Sequence, residues 1–155
     1  MKLPLKIGIL LSASVAILLL LICYISKNFS TDSRSIPMQD VIEILTVSRI
    51  QKRDGEIIEH TTSGEDLDSS LSTSVIDCLG RYSMTTRPVS SPDTMIMTDP
   101  YDHISIWLLN ADSTTMRINV SNVQSYCNVD YEGEHYGILD SVSLLQDLDN
   151  LLGNR

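Results

Sequence analysis

The longest uninterrupted apolar run is Ile7 to Ser26, IGILLSASVAILLLLICYIS, bounded by Lys6 and Lys27. As a helix it rises about 30 Å, the thickness of a bilayer's hydrocarbon layer, and satisfies its own backbone. A cleavable leader would carry a shorter apolar region and a small-x-small site. The following residues, Cys23 to Phe29, offer none, and Ile22 is not the small residue a lipoprotein cysteine requires. The pattern predicts an uncleaved anchor over residues 1–27. Lys2 and Lys6 precede the run, Lys27 and Arg34 follow it, so flanking charge is nearly balanced. The short N-terminal tail and large C-terminal part favour an extracytoplasmic C-terminal domain at the cell membrane. Residues 28–38, polar with Pro37, read as a linker, and 39–155 as the domain.

Within the domain the pattern shifts between periods of two and of three to four. Val41 to Ile50 is rich in β-branched residues and reads as a strand, with Glu56 to Thr62 returning. Asp54-Gly55 between them is a strong two-residue hairpin signal. Leu67, Leu71, Val75, Cys78, Leu79 and Tyr82 recur at offsets of three and four and predict a helix. Ser63 with Asp66 suggests a capping box, with Glu65, Asp66 and Asp68 in the first turn. Ser83 to Ser91, interrupted by Pro88, and Thr94 to Thr98 read as short strands, and Asp99 to Asp102 as a turn. His103 to Asn110 alternates most clearly, with Ile104, Ile106 and Leu108 on one face. Met116 to Val120 and Gln124 to Val129 follow as strands, Asp130 to Gly137 as a polar, acidic stretch. Val142 to Leu152 is a second helix, capped by Asp140 or Ser141 and closed by Gly153. Strands joined by short turns, with two amphipathic helices, predict an α+β domain with an antiparallel sheet.

Charge narrows the partners. Eight of the 11 basic residues and all 20 acidic ones lie from Asn28 onward, a formal charge of −12. Such a domain repels nucleic acid, and an anionic lipid surface beyond its tether; basic or cationic partners suit it better. No cofactor motif is present. Of three cysteines, Cys23 falls in the apolar run. Cys78 and Cys127 either form a disulfide, worth about 3–4 kcal/mol for a loop of about 50 residues, or stay as two buried thiols.

Candidate chemistry is sparse. In an extended chain Asp130, Glu132 and Glu134 share a face, with His135 adjacent, a set able to ligate a divalent cation. A solvated acidic stretch has the same composition. Asp99, Asp102 and His103 form a second small cluster around a turn-forming Asp-Pro pair. No serine is tied to a particular His and Asp, no CxxC or Cys/His metal spacing occurs, and Gly-rich phosphate loops are missing, so no catalytic constellation is predicted. Trp107 falls opposite Ile104, Ile106 and Leu108. It is either packed in a core or exposed as a contact for a partner.

The run Asp130 to Leu139, DYEGEHYGIL, just before the last helix, resembles the corresponding stretch of small membrane-anchored extracytoplasmic proteins of Gram-positive bacteria. These are a group of uncharacterised domains. The resemblance implies location and an α+β fold, and brings no activity. The expectation is a non-enzymatic interaction module tethered near an envelope or membrane partner, with a ligand or divalent-cation sensor as the alternative.

Overall fold

The computed structural model describes residues 32–90 and 96–153. The predicted anchor, Ile7 to Ser26, and Cys23 lie outside them. Among the described residues no helix is long and apolar enough to cross a membrane.

Alternation at period two builds most of the domain. In chain order the strands are β1 Ser33–Ser35, β2 Val41–Arg53, β3 Glu56–Ser63, β4 Ser83–Thr85, β5 Tyr101–Asn110, β6 Thr115–Ser121, β7 Asn128–Tyr131 and β8 Glu134–Gly137. The helices are α1 Ser69–Gly80 and α2 Ser141–Leu152, with single 3-10 turns at Gly64–Asp66 and Gln124–Tyr126. Six strands form one antiparallel sheet in the order β3-β2-β5-β6-β7-β8, and β1 pairs with β4 in a small second sheet. The α+β class with two packed helices is therefore as expected. Irregular register in β2 at Val41/Glu43 and Ile44/Thr46 bends that long strand as it runs beside β5.

One face of the sheet makes the core. Ile44 and Val47 of β2, Ile104, Ile106 and Leu108 of β5, Met116, Ile118 and Val120 of β6 and Val129 of β7 are all buried together. The helices cover them with Leu71, Val75, Cys78 and Leu79 of α1 and Leu144 and Leu148 of α2. This spacing puts each apolar set on one helical stripe. Arg49 ties the layers together, bonding Asp102 of β5 (2.6 Å) and Asp149 of α2 (2.7 Å). The bond to Asp102 raises its pKa further. Tyr82, just past α1, donates to Asp147 of α2 at 2.9 Å. Burial and that bond push its phenol up to about 12.

Several boundaries differ from expectation, each for a local reason. The linker ends early: β1 pairs with β4, and Ile36 and Met38 are buried in the core, so the folded unit begins at Ser33. Asp68, rather than Ser63 with Asp66, caps α1, accepting from Leu71 N at 2.8 Å, because a 3-10 turn takes up Gly64–Asp66. The turn expected over 99–102 is shorter, since Tyr101 and Asp102 already pair with β2. Of the strand expected at 94–98, the first two residues lie outside the described set and Ile96–Thr98 have no regular structure. Gln124–Tyr126 is a 3-10 turn, and the acidic stretch after it is a hairpin, β7–β8. Cys78 and Cys127 are separate, free and buried thiols; Cys127 Sγ donates to the Ser121 carbonyl at 3.1 Å.

Candidate functional site

The second face of the sheet carries the unusual chemistry. Strand alternation sets the non-core residues of β2, β5, β6, β7 and β8 in rows across it. Pairing register defines one row as Thr46, Trp107, Arg117, Asp130 and His135. The next is Ser48, Ser105, Asn119, Asn128 and Gly137.

The first row is locked by charge. Arg117 lays its guanidinium over the Trp107 ring, 5.1 Å from the centroid. It also donates through Nε to Asp130 Oδ2 at 2.6 Å. The other oxygen of Asp130 meets His135 Nδ1 at 2.5 Å. A cation over an indole contributes about 0.5–1 kcal/mol at a partly exposed site, and a charged hydrogen bond about 1.5–3. The second row is a neutral ladder. Ser48 meets Thr61 of β3 at 2.9 Å, Ser105 donates to Asn119 at 3.0 Å, and Asn119 donates to Asn128 at 2.8 Å.

The two ends of this face differ. At one end Tyr101 and His103 are buried and stack 6.1 Å apart, and Tyr126 meets Tyr101 edge-on. The Tyr126 hydroxyl accepts from Ile96 N. Burial lowers the pKa of His103, and the positive charge of Arg117 adds to the effect. Its Nδ1 is buried with no hydrogen-bond partner. At the other end Trp107 is 39 % exposed, against none for Ile104, Ile106 and Leu108 on the same strand. The indole is therefore partly exposed rather than enclosed in a core. Its Arg117 cover could not be foreseen without the β5–β6 register.

Only half of the proposed cation set converges. Asp130 and His135 touch, but Glu132 takes the left-handed position of the turn (φ +53°). Glu134 pairs with Tyr131, on the side away from His135. Both oxygens of Asp130 are engaged, and among the described residues no group of three His, Cys, Asp or Glu side chains is placed to hold a metal ion. Asp99, Asp102 and His103 also part company. Asp99 accepts from the amides of Asp54 and Gly55 (3.2 and 2.7 Å), Asp102 holds Arg49, and His103 faces away. What remains is a partly apolar, hydrogen-bonded surface. No family model, curated protein or solved structure matches this chain.

Proposed function

We propose that the chain is a single-pass, membrane-anchored, extracytoplasmic interaction module without enzymatic activity. It grips another envelope or membrane protein at the Trp107 end of the sheet. The observation that carries this reading is the single tryptophan standing partly out of the fold, held in place by Arg117, Asp130 and His135. Rigid aromatic and arginine anchors are the residues that dominate protein interfaces, because little side-chain freedom is left to lose on binding. The partner therefore presents an apolar side chain to the indole, flanked by acceptors for the free edge of Arg117. The anchor supports the same reading by raising the local concentration of this surface near membrane partners.

The test is site-specific photo-crosslinking in native membranes, with the photoreactive residue at position 107 and, as control, at Val142. That valine is 71 % exposed on α2, so it reports non-specific stickiness. One stoichiometric adduct from position 107, missing from position 142, is the expected result. Equal adducts from both positions, or none from position 107, would sink the proposal.

A further inference from the structure

The end of the sheet opposite the β2–β3 turn holds a cleft of about 560 Å³, a volume typical of ligand sites. The entry to β2, the β5–β6 turn and the β7–β8 turn frame it. Its lining includes Asp40, Asp112 and Glu132 and, among the described residues, no Lys, Arg or His. Arg34 lies instead over the rings of Tyr136 (4.7 Å) and Tyr131 (6.0 Å).

Carboxylates alone would be an ordinary solvated surface. Asn110 makes this one different. It lines the cleft, is 4 % exposed, and is the last residue of β5. Asp112 Oδ1 accepts from the Thr114 amide (3.0 Å) and from the Thr114 hydroxyl (2.6 Å). That hydroxyl has spent its proton, so it accepts from Asn110 Nδ2 at 3.0 Å. The relay runs one way and fixes the orientation of the carboxamide. Asn110 Oδ1 is left buried with no donor, a costly state for a carbonyl oxygen. The same bonds from Thr114 hold Asp112 below the usual carboxylate range and therefore ionised.

The described wall thus combines three carboxylates and an orphaned carbonyl oxygen with no cationic side chain. An anion would be repelled. A bare divalent ion needs its ligands within about 2.3–2.6 Å of one point, and the described carboxylates do not cluster that way. A group with several N–H donors spread over its own width meets both demands. We propose that this cleft binds an alkylammonium or guanidinium group, which donates to Asn110 Oδ1 and to the carboxylates of Asp40, Asp112 and Glu132. The site is separate from the Trp107 surface and stands or falls without it.

The experiment is an amide-resolved NMR titration of the full chain in nonionic detergent. Arginine amide and spermidine are the probes, each matched against sodium chloride of equal ionic strength. Saturable shifts at Thr114, Thr115 and Gly133 are expected. The Asp40→Asn/Glu132→Gln variant keeps the shape and should bind about ten-fold more weakly. Asn110→Leu keeps all charges and should also weaken binding, since it removes the orphaned acceptor. Shifts that never saturate, that sodium chloride reproduces, or that survive in both variants would overturn the site. A peptide with one central arginine distinguishes the sources. Binding about ten-fold tighter than arginine amide assigns a basic protein segment, and equal binding assigns a free small cation.

Discussion

The β2–β3 and β7–β8 hairpins turn through the same geometry and end in opposite surroundings. Asp54-Gly55 has φ of +53° and +82°, and Glu132-Gly133 has +53° and +79°. Both are two-residue turns whose central residues have positive φ, the twist that antiparallel strands accept. Yet β3 is exposed along nearly its whole length, with Ile57 and Ile58 each 59 % exposed on its two faces. The β7–β8 pair instead buries Val129 and Tyr136 against the core and fastens its outer face through Asp130. The turn selects a hairpin locally, while the neighbouring strand decides how much the hairpin matters. β3 has β2 on one side and nothing described on the other; β7 lies against β6, in reach of both helices' core.

A pair of truncations separates the two hairpins most clearly. Tyr136→Ala should cost about 3 kcal/mol in urea unfolding, as for a buried aromatic. Ile58→Ala should stay within about 0.5 kcal/mol; similar losses from both would mean β3 is covered in solution. Next in size is Asp130→Asn, which weakens the bonds to Arg117 and His135. It should cost about 2 kcal/mol, and should broaden the Trp107 side-chain NMR signal as the ring loses its fixed neighbour. An unchanged signal would separate Trp107's order from the charged row.

A third substitution sets turn against turn. Glutamate is a poor resident of the left-handed region, where Asn and Asp are tolerated. Glu132→Asn should therefore stabilise by about 0.5–1 kcal/mol, and Asp54→Asn should change little. The smallest effect lies on the pH axis, at the closed end of the polar face. The pKa of His103 is lowered in the fold, so the folded chain binds fewer protons than the unfolded one. The stability held above about pH 6.5 is lost as pH falls from there through the lower folded value. His103→Gln should flatten that part of the thermal-melt profile, and an equal slope in the variant would assign it elsewhere.

The same two turns explain how far the sequence could be read. Asp54-Gly55 sat between two β-branched runs, so β2 and β3 were legible to within three residues. Glu132-Gly133 lacks the usual Asn or Asp, and its strands have four residues each. Its outer face is Asn, Asp and His, so only Val129, Tyr131 and Tyr136 signalled burial, too few to set a period. Without that register, Asp130 looked like a free ligand when its partner was Arg117, 13 residues earlier. The helices were legible because five or six apolar residues each repeat at three and four. Their caps were less so, since Ser63, Asp66 and Asp68 are all plausible by chemistry and only packing chooses. Asn110 carried no signal at all, because its unpaired oxygen follows from a relay through Thr114 to Asp112.

The two enclosed sulfhydryls give the molecule an internal clock. Cys78 sits in the helical layer with none of its surface exposed, and Cys127 just before β7 with 4 %. Burial also raises the pKa of Cys78, which keeps it from the reactive thiolate form. An alkylating reagent reaches each sulfur only when its own layer parts, so peptide-resolved labelling times the helices and the sheet separately. If the helices peel away before the strands separate, Cys78 is marked first; if the whole fold opens at once, both acquire the label at a rate set by a single opening event.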